Sequence, residues 1–197
     1  MGAATDVVAL GRSCGVDVAP VRTEPSDEAE QVTQLLRGEP VDVVDARDGW
    51  ARIVTAYDYP GWVHEDALSP VSGDEWLAIG KGDVLEEART YLGCPYEWGG
   101  MTEAGIDCSG LIHMAFRRTG VLVPRDSWQQ AQAGVEIVEK DLRPGDIVCY
   151  EGHTALWVAP SRILHATGRA GVESVVEEDE PEQLRTSFLT FRRLVGD

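Results

Sequence analysis

The chain has 197 residues, enough for one large domain or two small ones, and its 43% hydrophobic content is sufficient for packed cores. It carries 34 acidic and 17 basic residues, for a formal net charge of -17. Nucleic-acid binding depends on contacts between basic side chains and phosphate. A chain with this excess of acidic residues is therefore expected to have no nucleic-acid partner. The charge is otherwise typical of an ordinary acidic globular protein.

The N-terminal segment gives an expectation about the membrane. Residues 1–8 include Asp6 and contain no basic stretch followed by a long apolar run. For a chain from which no leader has been removed, we therefore expect neither a secretory signal nor a membrane span, and a cytoplasmic location.

Cysteine spacing argues against a disulfide framework. Neither a CxxC pair nor a high cysteine density is present, so reduced thiols are expected. The cysteines are Cys14, Cys94, Cys108 and Cys149. Cys149 lies in a strand-like apolar run and is predicted to be a buried structural residue.

Residues 16–68 consist of short strand-like runs that alternate with turn signals. Turns are predicted at Asp48-Gly49 and at Pro60-Gly61. The pattern predicts a small all-β barrel. We expect a β domain over residues 1–72, with residues 1–15 as an N-terminal extension, and a second domain over residues 73–197.

Two helices are predicted at the start of the second domain. The first is capped by Asp83, has Leu85, Ala88 and Leu92 on one face, and ends before Gly93. The second begins at Cys108, because apolar residues recur after it at helical spacing until Gly120.

Three strand-like runs follow Pro144-Gly145, over residues 147–150, 154–159 and 162–166. His153 stands at the start of the second run and His165 lies within the third, with a turn expected near Pro160-Ser161. Adjacent antiparallel strands would bring the two imidazole rings together.

Cys108, His153 and His165 have the chemistry of a nucleophilic triad. A helix N-terminus and a nearby imidazole lower the pKa of a thiol and make it a better nucleophile. His153 is the candidate base, and His165 the residue that fixes its tautomer and orientation. His64 and His113 are interpreted as structural or surface residues. A zinc site, the competing use of Cys and His, would need a close ligand pair that is absent, so no metal or other cofactor is expected.

Several motifs of the second domain, in chain order, resemble the NlpC/P60 peptidases over roughly residues 82–194. These motifs are Tyr96-Glu-Trp-Gly-Gly100, Asp107-Cys-Ser-Gly-Leu111, Leu122-Val-Pro-Arg-Asp-Ser127, Gln129-Gln130, Leu142-Arg-Pro-Gly-Asp146, His153 and His165-Ala166. The resemblance implies an α+β, papain-like catalytic domain with Cys108, His153 and His165 as the triad. It also implies that Tyr96 lies beside the nucleophile, where its hydroxyl would help to stabilise an oxyanion; packing within the loop is the alternative.

The β domain resembles bacterial SH3-type domains through residues 21–26, 34–39, 49–50 and 58–62. An SH3-like barrel directly before an NlpC/P60 domain is similar to γ-D-glutamyl-L-diamino acid endopeptidases, which process released cell-wall peptides. That similarity implies that Tyr59 and Asp107 hold the free amine of an N-terminal L-alanine. The alternatives are that Asp107 only caps its helix and that Tyr59 only packs in a turn.

Three further residues are candidate substrate contacts. Ser109 and Ser127 are candidates for binding the peptide backbone or the α-carboxylate of the glutamate, and Arg125 for supplying positive charge near that carboxylate. Alternatively, Arg125 pairs with Asp126 or Asp107 and only fixes the loop.

The predicted function is hydrolysis of the γ-D-glutamyl-diamino acid bond in cell-wall (murein) peptides with a free N-terminal L-Ala, in peptide recycling. The predicted partner is therefore the murein peptide, with no nucleic acid and no membrane; the sequence predicts neither an oligomeric state nor a preference between diaminopimelate and lysine. Two alternatives remain: a secreted hydrolase of intact peptidoglycan, and a non-catalytic cell-wall-binding protein.

Overall fold

The computed structural model of the protein describes residues 11–71, 76–77 and 82–194. The chain separates into two units, one ending at Trp76 and the other beginning at Leu77. The predicted boundary between residues 72 and 73, and most of the predicted N-terminal extension, lie outside the described residues.

The first unit is built from β-strands, as the sequence predicts. Its strands pair antiparallel in one sheet with the order β3-β2-β6-β5-β4-β1-β7. They are β1 (Arg12–Cys14), β2 (Val18–Arg22), β3 (Gln31–Leu36), β4 (Pro40–Arg47), β5 (Trp50–Thr55), β6 (Pro60–His64) and β7 (Leu68–Pro70). The inward positions form one core that includes Val21, Leu35 and Ile53, each fully buried. Burying each of these side chains stabilises the unit by about 1.5–3 kcal/mol.

One of the two predicted turns is confirmed and the other is wrong. Asp48 and Gly49 join β4 to β5 with φ values of +51° and +80°, as a tight hairpin turn requires. Pro60 and Gly61 instead begin β6, and the chain reverses just before them, where Asp58 has a φ of +59°. Gly61 is required by packing: a Cβ there would collide with Val21 and would lie 3.2 Å from the carbonyl oxygen of Arg22.

The second unit combines four helices with a six-stranded antiparallel sheet of order β10-β15-β11-β12-β13-β14 and a two-stranded sheet, among its described residues. The helices are α1 (Val84–Arg89), α2 (Cys108–Arg118), α3 (Ser127–Gln130) and α4 (Glu182–Thr186). The two-stranded sheet consists of β8 (Met101–Thr102) and β9 (Gly105–Ile106). The large sheet consists of β10 (Val135–Ile137), β11 (Ile147–Tyr150), β12 (His153–Ala159), β13 (Arg162–Thr167), β14 (Ser174–Asp179) and β15 (Phe188–Arg193).

Helix α1 is shorter than its apolar spacing predicts. Asp83 caps it as expected, because its carboxylate accepts hydrogen bonds from the backbone N–H groups of Leu85 and Glu86. The helix ends at Arg89, before Leu92, and Leu92 is therefore exposed rather than on the buried face. Tyr91 takes the buried position instead.

Helix α2 begins at Cys108 as predicted, and every residue from Cys108 to Arg117 is buried. The helix packs on β12 and β13. These two strands form the predicted antiparallel hairpin, whose turn includes Ser161 with a φ of +58°. The N-terminus of α2 is thus held against the hairpin that carries both candidate histidines.

The cysteine predictions are confirmed. All four thiols are free, and Cys149 is fully buried in β11. Among the helices of the described segments, none has the length and apolar character needed to cross a membrane.

Replacing Gly61 by alanine is expected to destabilise the first unit by about 1–3 kcal/mol, because the new methyl group overpacks a core that is already filled by Val21. Hydrogen–deuterium exchange of the β5 and β6 amides would measure the loss. Val44→Thr is the matched control, since Val44 is half exposed, and it should change the exchange by no more than about 0.5 kcal/mol. Equal protection in the two variants would contradict the proposed packing.

Candidate active site

Cys108 occupies the first position of α2, directly after its N-cap residue Asp107. The backbone amide of Thr154 in β12 lies within hydrogen-bonding reach of the thiol and favours the thiolate. Thr154 immediately follows His153. The fold therefore brings the candidate nucleophile to the start of the strand that carries the candidate base.

His153 and His165 meet as predicted. Nε2 of His153 lies 2.8 Å from Nδ1 of His165, and the rings are nearly perpendicular, at 83°. The strand register explains the contact: Leu156 pairs with Leu164, so residue 165 lies opposite residue 155, two positions from His153 on the same face of the sheet.

Hydrogen bonds determine the tautomers of the two rings. Nε2 of His165 lies 3.0 Å from a carboxylate oxygen of Glu178, which can only accept, so that nitrogen carries the proton. The unprotonated Nδ1 of His165 then accepts from the Nε2–H of His153. In the neutral ring of His153 this leaves the lone pair on Nδ1, available to receive a proton.

The ionisation of the free site differs from the sequence-based expectation of a lowered thiol pKa. Burial raises the pKa of Cys108 to about 12, with a further contribution from the negative charge of Asp107, although the Thr154 amide and Arg125 act in the opposite direction. Burial, followed by the influence of His165, lowers the pKa of His153 to about 3. The free site therefore favours a neutral thiol beside a neutral imidazole, because burial outweighs the effect of the helix N-terminus.

Asp107 and Arg125 form a buried ion pair directly behind the nucleophile. One guanidinium nitrogen of Arg125 lies 3.0 Å from Oδ1 of Asp107 and the other 2.7 Å from Oδ2, while the two residues are 1% and 5% exposed. Asp107 also accepts hydrogen bonds from the backbone N–H groups of Gly110 (2.6 Å) and Gly99 (2.8 Å). The ion pair fixes the turn before α2 to the loop that contains Gly99.

These contacts change the interpretation of three predicted substrate contacts. Arg125 adopts the pairing alternative with Asp107, since its guanidinium is buried and already paired, and its contact with a substrate carboxylate stays a prediction. Ser109 accepts a hydrogen bond from Arg125 at 2.9 Å and donates to Asp107 at 3.3 Å, so its hydroxyl is also occupied. Asp107 caps α2, as its structural alternative states.

Tyr96 lies near the nucleophile, as the resemblance implies. Burial raises its pKa to about 12, with a further contribution from Cys108, so its hydroxyl stays protonated at neutral pH. One face of its ring packs on Gly168, where a Cβ would lie 3.1 Å from ring carbons. A protonated, half-buried phenol is able to donate a hydrogen bond to an oxyanion.

The two remaining candidates lie in different parts of the chain. Ser127 is the first residue of α3 and is partly exposed. Tyr59 belongs to the first unit, in the turn between β5 and β6, where it exchanges hydrogen bonds with Thr55 at 3.0 and 3.1 Å. His64 and His113 are structural, as predicted: His64 contacts Asp27 at 3.0 Å, and His113 is buried against the carbonyl oxygen of Val123 at 2.7 Å.

Sequence reasoning missed two residues that extend the histidine pair. Glu178 in β14 accepts from His165, and its other oxygen lies 2.8 Å from a guanidinium nitrogen of Arg169. An acidic residue on the strand after β13 was the available signal for a partner of His165. Glu177, Glu178 and Asp179 are consecutive, however, and only the strand register decides which of them faces His165. No group of metal-ligating side chains large enough to hold an ion occurs in the segments that the structure describes.

Substituting Met for Arg125 is expected to destabilise the second unit by about 3–5 kcal/mol, because Asp107 would remain buried without its counter-ion. Pulse proteolysis in urea would measure the change. Arg185→Met is the control: Arg185 pairs with Glu180 at the surface and should cost at most about 1 kcal/mol. Similar stability of both variants would argue against a structural role for the buried pair.

Comparison with known proteins agrees with these features. The model of the NlpC/P60 family matches residues 93–190, and that of the bacterial dipeptidyl-peptidase Sh3 domain matches residues 21–68. Dipeptidyl-peptidase 6 of Lysinibacillus sphaericus is 27% identical over 177 residues, which cover 86% of this chain and 65% of that protein. The γ-D-glutamyl-L-lysine dipeptidyl-peptidase of Bacillus subtilis is 30% identical over 138 residues, 65% of this chain and 45% of that protein. The chain thus spans less than two thirds of either relative.

A solved structure gives the same fold. The NlpC/P60 family protein of Bacillus cereus ATCC 10987 superimposes with a TM-score of 0.55 at 20% identity, covering 94% of this chain and 63% of that one. At this identity the likeness concerns the fold alone. Both family models match in order, so the chain contains a region similar to the bacterial SH3 domain followed by a region similar to the NlpC/P60 family.

Proposed function

We propose that this protein is a cysteine peptidase that hydrolyses the γ-D-glutamyl bond to the diamino acid in cell-wall peptides. The observation that carries the proposal is the hydrogen-bonded pair of His153 and His165 next to the N-terminus of α2, where Cys108 stands. The names of its relatives, γ-D-glutamyl-L-lysine dipeptidyl-peptidase among them, support the substrate class.

In the acylation step, the sulfur of Cys108 attacks the γ-carbonyl carbon of D-glutamate while its proton passes to Nδ1 of His153. The carbonyl oxygen gains negative charge, and the backbone N–H of Cys108 and the hydroxyl of Tyr96 are the proposed donors to it. His153 then protonates the nitrogen of the diamino acid, the C–N bond breaks, and a thioester remains on Cys108.

In the deacylation step, His153 takes a proton from water, which attacks the thioester carbon. The C–S bond breaks, L-Ala-D-Glu leaves with a free γ-carboxylate, and Cys108 regains its proton. Burial favours the neutral form of His153, so the imidazolium returns its proton readily, while its formation requires compensating interactions from the neighbouring charges.

A free N-terminal L-alanine is the proposed feature that the enzyme reads. A dipeptidyl-peptidase removes two residues from a free N-terminus, so the names of the relatives support this choice. Tyr59 remains the candidate contact for the ammonium group, and Ser127 for the peptide. Because the oxygens of Asp107 already accept several hydrogen bonds, we propose that Asp107 acts on the amine through its charge rather than as a sole direct ligand.

The recycling role and the cytoplasmic location expected from the sequence belong to the same proposal. A peptidase that requires a free N-terminus acts on peptides already released from glycan, so its substrate is a small soluble molecule. Cell fractionation with an antibody to the native chain would test the location.

Cys108→Ala is expected to reduce hydrolysis of L-Ala-γ-D-Glu-diaminopimelate to the uncatalysed background, because the nucleophile is lost. Mass spectrometry of the released diaminopimelate gives the rate. Cys94→Ala is the control and should retain full activity, since Cys94 lies outside the proposed triad. Full activity in Cys108→Ala would disprove the assignment, and binding of the wild-type protein to purified sacculi without cleavage of any peptide would favour the non-catalytic alternative.

The free peptide should be hydrolysed at least about tenfold faster than the same peptide with muramic acid on its alanine, because the cap removes the ammonium charge that the site is proposed to read. Parallel assays at equal substrate concentration would measure the ratio. Equal rates would be consistent with a cysteine peptidase but would contradict recognition of the N-terminus by Tyr59 and Asp107. They would favour the alternative of a hydrolase of intact peptidoglycan.

A further inference from the structure

The histidine pair continues into two charged side chains that the proposed mechanism does not use. Glu178 accepts from Nε2 of His165 at 3.0 Å through one carboxylate oxygen. Its second oxygen lies 2.8 Å from a guanidinium nitrogen of Arg169. The side chains of Glu178 and Arg169 are 28% and 36% exposed, whereas that of His165 is 1% exposed, so the chain of contacts runs from the buried site to solvent.

The strand register makes this arrangement specific. His165 in β13 pairs with Val176 in β14, so Glu178, two positions further along, lies on the same face of the sheet as His165. Glu177 points to the other face, where it contacts Arg89 at 2.9 Å and Arg162 at 3.1 Å. Only one of two neighbouring glutamates therefore reaches the histidine pair.

We propose that Glu178 and Arg169 are positioning residues that set the tautomer and the basicity of the His153–His165 pair, with opposite effects on its proton affinity. Glu178 holds the proton of His165 on Nε2, which directs the Nδ1 lone pair of His165 to His153. Its negative charge stabilises the imidazolium that forms when His153 accepts the thiol proton, and Arg169 limits that effect. The catalytic meaning of this inference rests on the proposed function.

Other charged and titratable groups also lie near the pair, but Glu178 contacts His165 directly and Arg169 contacts Glu178. The carboxylate of Asp107 favours the protonated form of His153, and the guanidinium of Arg169 favours the neutral form of His165. The groups are Asp107 before α2, Cys108 from α2, Tyr150 from β11, whose hydroxyl donates to Glu180, His153 from β12, Arg169 after β13, and Glu178 from β14.

The ionisation of Glu178 is consistent with this role. Burial raises the pKa of its carboxyl group, but hydrogen bonds from Arg169 and His165 outweigh burial and lower the pKa below its ordinary value. Burial lowers the pKa of His165, and the hydrogen bond to Glu178 opposes that effect. The carboxyl group of Glu178 therefore ionises more readily than that of an ordinary glutamate.

The experiment follows the ring nitrogens of His153 and His165 by NMR across a pH titration of the full-length free protein, in the wild type, Glu178→Gln and Arg169→Gln. Removing the carboxylate should lower the midpoint of the histidine pair by about 1 pH unit. Removing the guanidinium should raise the midpoint, because a positive charge near the imidazolium disappears. Glu177→Gln changes the same charge on the same strand, faces away from His165, and should leave the midpoint unchanged.

Peptide hydrolysis provides the second measurement. The acid limb of kcat/KM should move to lower pH in Glu178→Gln and to higher pH in Arg169→Gln. In Glu178→Gln, kcat should fall with KM unchanged, since Glu178 is not a proposed substrate contact. If Glu178→Gln does not fold, the rise of the histidine titration midpoint in Arg169→Gln decides the test.

The NMR titration requires no substrate, so the two proposals fail separately. Opposite midpoint shifts in a protein that cleaves no cell-wall peptide would support the positioning role and overturn the proposed function. Unchanged midpoints in both variants, or an equal shift in Glu177→Gln, would overturn the inference even if the enzyme is active.

Discussion

The buried ion pair between Asp107 and Arg125 is the constraint on which the site depends. Two charges away from water are tolerated only when hydrogen bonds satisfy them, and here the backbone groups of Gly99 and Gly110 and the hydroxyl of Ser109 complete the network. The same network caps α2 and fixes the residue before Cys108. The orientation of the nucleophile therefore depends on an ion pair that the sequence presents as one of two alternatives, the other being contact with substrate.

The second constraint is the neutral state of the site. Burial disfavours both the thiolate of Cys108 and the imidazolium of His153, so a charge-separated pair would form only with compensating interactions. The contacts of His165 with Glu178, and of Glu178 with Arg169, supply charge from the far side of the histidine pair. We therefore expect the thiolate of Cys108 and the imidazolium of His153 to form mainly during turnover, when the bound substrate adds its own interactions.

Much of the NlpC/P60 domain was predictable because its signals are local. An N-cap aspartate, apolar residues at helical spacing and a glycine after the last turn define α2, and two strand-like runs separated by a turn give the β12–β13 hairpin. The errors also have local causes. Pro60-Gly61 has the composition of a turn, but close packing on Val21 requires the glycine within a strand. Leu92 lies at helical spacing from Leu85 and Ala88, but the helix ends at Arg89.

The sequence by itself determined the type of chemistry: a cysteine at a helix N-terminus, two histidines on adjacent strands and the two domain types in their order. Tertiary structure decided which side chains share contacts, namely that Arg125 binds Asp107 and that Glu178, rather than Glu177, reaches His165. The physical reason is that a helix or a turn is specified by neighbouring residues. Ion pairing and strand register instead depend on residues distant in the chain, and a register shift of one residue would exchange the faces of Glu177 and Glu178.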